Sequence, residues 1–243
     1  MRGAAATLVL TLGALAAGQE PGAPAEVRQI VSFHLLPGTP GVVDGLYRDQ
    51  LLPIYQDIAP LLRFRAYREA ESPEPVDLVV VSAYEGMAGM DAANALLRRP
   101  GRNGVSALSV YGQIARYTSA HTDQFVEMRP RLSDPVADQR PDGLAVFEYV
   151  HLVPAAHAAY EQLLEERVRG WEKEHAVYQW SETGRMLVSD GWDYLRTYGM
   201  RSLADWQDYQ SRLGATDFAP DLAALVGSRK TLILRGAPDL SVR

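Results

Sequence analysis

The chain has 243 residues, 47% hydrophobic and 22% charged, with 24 basic against 30 acidic side chains and a formal net charge of −6. That length supports one large core or two small ones, and no basic stretch is present to track phosphates, so nucleic acid is not expected as a partner. Cysteine is absent, which excludes disulfides, thiolate catalysis, zinc–cysteine sites, iron–sulfur clusters and a cysteine-borne lipid anchor.

In chain order, "MRGAAATLVLTLGALAAGQEPGAP" comes first. Arg2 gives it a positive start, and Ala4 to Ala17 is an apolar run of small residues and leucines, too short to cross a bilayer. Ala14-Leu15-Ala16, or alternatively Ala16-Ala17-Gly18, fits a small-x-small cleavage pattern. The segment therefore reads as a signal peptide over residues 1–18, and the protein as exported, periplasmic or extracellular. No later stretch has the apolar length of a membrane span.

"VRQIVSF" reads as a strand and runs into "HLLPG", His34 to Gly38. Thr39 suits an N-cap and Pro40 the first helical position. Val43, Tyr47, Leu51, Ile54 and Ile58 then fall on one helical face, with a kink or early stop expected at Pro53. "LLRFRAYRE" and "DLVVVSAYE" read as strands around the proline-rich "AESPEPV". A helix through "MDAANALLRR" breaks at Pro100-Gly101 and resumes through "VSALSVYGQIARY". "DQFVEMRP" closes the unit as a strand.

A linker rich in Pro, Asp and Arg, "RLSDPVADQRPDG", leads to a second copy. "HLVP", His151 to Pro154, lies 117 residues after "HLLP" and follows the strand-like "LAVFEYV". Tyr160, Leu164, Val168, Trp171 and His175 form the helical stripe. "VYQWSE" and "RMLVSDGWDYLRTYGM" read as the next two strands. Ser202 with Asp205 begins a second helix as a capping box, carrying Leu203, Trp206, Tyr209 and Leu213. "RKTLILRG" closes the copy. The order is β-α-β-β-α-β twice, over 27–132 and 143–243, with 133–142 as linker.

A β-α-β-β-α-β unit makes a four-stranded antiparallel sheet with both helices on one face. "LVVVSAY" and "LAVFEYV" are apolar on both alternating faces, so the helix-free faces must also be covered. The expected fold class is α+β, with two tandem ferredoxin-like repeats packed sheet to sheet as an intramolecular α+β barrel around a cavity. Such a chain covers itself, so a monomer or a homo-oligomer is compatible.

With this order in hand, the chain from Val27 to Leu240 resembles the dimeric α+β-barrel superfamily in its fused form. The opening "RQIVSFHLLPGTPG" looks most like NIPSNAP-type and stress-responsive barrel domains. The resemblance implies a cavity for a small-molecule ligand. The superfamily includes cofactor-free monooxygenases, polyketide cyclases, isomerases, haem enzymes such as chlorite dismutase-like proteins, and members without assigned activity, so the fold does not choose the chemistry.

Strand alternation nominates residues. Ile30, Ser32, His34 and Leu36 share one face, as do Phe147, Tyr149, His151 and Val153. His34 and His151 are expected to point together into the cavity, either one as general base; the competing reading makes them packing or rim residues. Tyr194, Arg196 and Tyr198 share a face, with Arg196 expected to pair with Glu148 or to bind an anionic group. Arg196 and Tyr198 or Tyr84 would stabilise an oxyanion. Tyr84, Tyr149, Trp180, Tyr194 and Tyr198 are candidate ligand-binding residues for a flat compound.

His157 and His175 lie on the helix of the second copy, His175 as a candidate haem or metal ligand. "EKEH", Glu172 to His175, reads as a solvated helix end, and Arg98-Arg99 and "EQLLEER" as exposed charges. His121 sits beside a helix end with no signal of its own. No metal-ligand spacing appears, so no metal and no cofactor are expected, haem being the alternative. The function read from these residues is an exported small-molecule-binding protein, as a cofactor-free monooxygenase, isomerase or cyclase acting on an aromatic or enolisable compound. The alternatives are a non-catalytic ligand-binding or stress-related protein, or a haem-binding one.

Overall fold

β1 (Glu26–Leu35) is covered on both faces. Phe33 and Leu35 pack with helix residues, while Ile30 packs with residues from the opposite side of the molecule. The computed structural model describes residues 25–71, 76–101, 104–135, 143–175 and 178–242. The signal-peptide segment and most of the linker lie outside the described residues.

The first repeat continues with α1 (Pro40–Leu46), a π-helical turn over Tyr47–Leu51, and α2 (Leu52–Gln56). β2 (Leu61–Glu69), β3 (Leu78–Glu85), α3 (Gly86–Leu97), α4 (Ala107–Ile114) and β4 (Thr118–Met128) follow. The second repeat has β5 (Leu144–Leu152), α5 (His157–Leu163), a π-helical turn over Leu164–Val168, and α6 (Arg169–His175). It ends with β6 (Trp180–Val188), β7 (Tyr194–Met200), α7 (Leu203–Gly214), α8 (Ala219–Leu225) and β8 (Val226–Gly236). No described helix is long and apolar enough to cross a membrane.

The eight strands close into one antiparallel barrel in the order β1-β3-β2-β8-β5-β7-β6-β4. Each repeat contributes the order 4-1-3-2. The repeats join through hydrogen-bonded seams: Tyr67–Glu69 of β2 on β8, and Phe125–Met128 of β4 on β6. Closure removes the sheet edges along the seams and buries the apolar faces read from the sequence. Inside lie Ile30, Val79, Val126, Phe147, Tyr149 and Leu234; each repeat's helices cover the outside with a separate core. Gly199 makes room for one interior ring, since a Cβ there would lie 2.0 Å from the Trp180 indole nitrogen.

The repeated "HLLP" and "HLVP" have a structural role. A bulge falls between His34 and Leu35, and another between His151 and Leu152. The Leu35 N–H donates to Asp77 Oδ2 at 2.7 Å, and the Leu152 N–H to Asp193 Oδ2 at 2.8 Å. Asp77 and Asp193 in turn donate their own N–H groups to Phe33 and Val150 carbonyls. A carboxylate therefore satisfies the backbone donor displaced at each bulge.

Three sequence expectations change. The helix does not stop at Pro53 but runs to Gln56; π turns stand at matching places, Tyr47–Leu51 and Leu164–Val168, and only the first is followed by a proline, so they belong to the repeat. Thr39 donates its hydroxyl to the Leu36 carbonyl instead of capping. "RMLV" completes β6 instead of opening β7, because the chain turns later, where Gly191 has φ +86° and the Trp192 N–H donates to Ser189 Oγ.

Candidate functional site

Between the outer face of β1, β3 and β4 and helices α3 and α4 lies a cavity of about 320 Å³. Val31, Phe33, Val80, Leu97 and Ile114 give it apolar walls, and Tyr55, Tyr84 and Tyr111 add aromatic ones. Gln29, Asn94, Thr118, His121 and Asp123 supply a polar margin. Its size and mixed lining suit a small organic ligand.

The second repeat shows why this space is open. Register pairs Val31 with Val80 and Gln29 with Ser82 in the first repeat; it pairs Glu148 with Arg196 and Val146 with Tyr198 in the second. Val80 thus corresponds to Arg196, and Ser82 to Tyr198. On the covering helices, the buried Met90 and Ala93 of α3 match Trp206 and Tyr209 of α7. At each of these four positions the first-repeat residue is the smaller of the pair.

The filling is polar and closed. Arg196 Nη2 donates to Glu172 Oε1 at 2.8 Å, with side chains 3% and 1% exposed. The Tyr209 hydroxyl donates to the same oxygen at 2.6 Å, and the Tyr198 hydroxyl lies 3.1 Å from that of Tyr209. The Arg196 guanidinium sits 5.0 Å from the Tyr198 ring centroid. Burial pushes the Tyr198 phenol well above its usual range, and burial with the Glu172 carboxylate does the same for Tyr209. "EKEH" is therefore not a solvated helix end: Glu172 points into the core. Arg196 does not pair with Glu148, its cross-strand neighbour, whose carboxylate lies 3.4 Å from Arg229.

At the open cavity, His121 Nε2 lies 3.4 Å from Asp123 Oδ2, and Gln29 Nε2 donates to Asp123 Oδ1 at 2.9 Å. The Phe33 ring stacks beneath His121, with centroids 6.2 Å apart. Burial, then the Asp123 charge, raises the Tyr111 phenol. The sequence reading missed this pair because it began the closing strand at Asp123, whereas β4 begins at Thr118. The signal was present: His121 and Asp123 alternate around Thr122, so they share a face once the strand is extended.

The nominated residues are dispersed. His34 and Tyr149 line a second cavity, of about 150 Å³, in one mouth of the barrel. His151 does not join them. Its side chain is 51% exposed, with Nδ1 3.1 Å from Asp193 Oδ2, and His157 Nε2 lies 3.5 Å from the other oxygen. The expected convergence of the two imidazoles is thereby corrected: Asp193, the carboxylate that satisfies the bulge N–H of Leu152, holds His151 at the rim. Trp180 lies inside the barrel beside the Arg28–Glu182 pair. Tyr84 lines the first-repeat cavity. Tyr194 donates to Glu161 Oε1 at 2.7 Å, and Tyr198 and Arg196 belong to the filled second repeat.

The described residues do not fit a haem. Tyrosines, Trp206 and the Arg196–Glu172 pair fill the second sheet–helix space. His175 stacks on Trp171 and its Nδ1 lies 2.8 Å from the Trp171 carbonyl. Helices α1 to α4 over the first cavity carry no histidine, and His121, which lines that cavity from β4, lies at its exposed margin with Nε2 against Asp123. Among the described residues no group of three or more His, Asp or Glu could hold a metal ion.

No protein-family model and no curated protein matches the sequence. Solved structures do match the fold. A candidate monooxygenase from Fusobacterium nucleatum aligns over 88% of this chain and 93% of its own, with TM-score 0.63 and 10% identity. A mutant chlorite dismutase from Candidatus Nitrospira defluvii aligns over 88% and 92%, with TM-score 0.63 and 9% identity. An anthrone oxidase-like protein aligns over 88% and 91%, with TM-score 0.61 and 10% identity. The chain has the tandem ferredoxin-like α+β fold of these proteins.

Proposed function

We propose that this tandem α+β barrel binds one small aromatic or enolisable compound in the first-repeat cavity, and that His121 removes a proton from it. The carrying observation is the difference between the repeats: the same sheet–helix space is open and edged by His121 and Asp123 in one, and filled by Arg196, Glu172, Tyr198 and Tyr209 in the other.

Apolar walls and tyrosine rings favour a flat ligand. His121 has its Nε2 3.4 Å from Asp123 Oδ2, a contact that orients the imidazole and leaves Nδ1 to take the proton. Tyr84, Tyr111 and Asn94 supply donors for the resulting oxyanion. From that anion two outcomes balance without a cofactor. Reprotonation at another carbon is isomerisation. Reaction with dioxygen is oxygenation; for anthrone, one O2 gives anthraquinone and one water. The anthrone oxidase-like structure favours testing the second first.

The test is anthraquinone formation in aerated buffer, corrected for spontaneous oxidation. The expected result is acceleration by the parent and a loss of roughly 100-fold in His121→Ala; an unaffected variant, or no acceleration, contradicts the proposal. A second reading, ligand holding without turnover, is favoured by the 57% exposure of the His121 side chain, which leaves water at the base. It gives saturable anthrone binding in parent and His121→Ala, with turnover in neither. Export would be supported by a mature chain beginning near residue 18, read by mass spectrometry.

A further inference from the structure

The barrel mouth holds a set of polar groups that the first-repeat site does not use. Ser32 of β1, Gln124 of β4 and Tyr149 of β5 are buried and line the 150 Å³ cavity, together with Thr122 and His34. Ser32, Thr122, His34, Gln124 and Tyr149 make no side-chain hydrogen bond to the described residues. These residues are largely buried while their polar ends reach the cavity, so the convergence offers a set of unused hydrogen-bonding groups to a ligand. Burial raises the Tyr149 phenol, which therefore stays a donor. Lys230 of β8 brings an ammonium to the same wall, and Asp190, exposed at the rim, is the one acidic side chain among the described residues that line the cavity.

Pseudo-symmetry gives the cavity two unlike halves. Ser32 pairs with Thr122 and Ile30 with Gln124 on one side; Tyr149 pairs with Lys230 and Phe147 with Leu232 on the other. Hydroxyls and an amide thus face a phenol, an ammonium and an apolar floor.

We infer that the barrel mouth is a second binding site, for a small carboxylate, held by the Ser32, Thr122, Gln124 and Tyr149 donors under the charge of Lys230. A carboxylate accepts several hydrogen bonds at once, and a methyl-sized tail fits against Leu232 and Val76. The volume excludes the flat ligand of the first cavity, so the two sites are independent.

The test titrates the whole chain with sodium acetate and, separately, with glycerol, following the Trp192 indole N–H resonance at the cavity rim. A saturable shift with acetate is expected, weakened roughly tenfold or more in Gln124→Leu and in Lys230→Met, with glycerol silent. A shift unchanged in both variants, equal binding of glycerol, or no saturable shift, as waters alone would give, overturns the inference.

Discussion

Arg196 of β7 reaches Glu172 of α6 across 2.8 Å, inside the space that stays open in the other repeat. Taking two charges out of water is costly, and the pair holds only while both are present. Removing one leaves the other buried and uncompensated. Glu172→Ala is expected to lose about 3–5 kcal/mol, measured by urea unfolding, and the double variant Glu172→Leu/Arg196→Met to recover most of it. Equal losses in single and double variants would contradict this reading of the pair.

Burial raises the Tyr47, Tyr198 and Tyr209 phenols well above their ordinary value of 10.0. These groups are neutral in both folded and unfolded chains below that pH, so they give no slope there. Above it, the unfolded tyrosines ionise while the buried ones hold their protons. The unfolded state then binds fewer protons, and stability falls with rising pH by about 1.4 kcal/mol per pH unit for each such tyrosine. Unfolding midpoints across this range should show a steep alkaline loss that is shallower in Tyr198→Phe.

Asp123 lies beside His121 and also accepts from Gln29. Asp123→Asn keeps the shape of that margin and removes the carboxylate that orients the His121 imidazole. Anthrone turnover is expected to fall with KM nearly unchanged, since the walls that bind the ligand are untouched. A rise in KM at constant kcat would instead assign Asp123 to binding.

Gly199 lies under the Trp180 ring, where a Cβ would approach the indole nitrogen to 2.0 Å. Gly199→Ala is expected to cost about 1–3 kcal/mol by overpacking, and a second change, Trp180→Leu, to restore part of it. Thermal melts of the two variants decide this.

The repeat, its element order and the two-sided burial of the strands were legible because each rests on local periodicity. The faces were legible too: Tyr149 and His34 do share the interior, and Tyr194, Arg196 and Tyr198 do share the opposite side. Which partner each residue meets was not legible. Glu172 looked solvated because "EKEH" is charged, yet it is 1% exposed; only the distant Arg196 and Tyr209 make that burial tolerable. His121 was hidden by a strand start misplaced by five residues, from Asp123 to Thr118. The open cavity depended on comparing Ser82 with Tyr198 in register, which needs the strand pairing and not the strands alone.

Calorimetry of anthrone binding to the parent and to Ser82→Tyr tests whether the ligand lies in the first-repeat cavity. Ser82→Tyr copies into the first repeat the ring that Tyr198 places in the second. The expected result is one anthrone per parent chain and no measurable binding in the variant, with its melting temperature maintained. Unchanged affinity in a folded Ser82→Tyr would contradict placement of the ligand site in the first-repeat cavity.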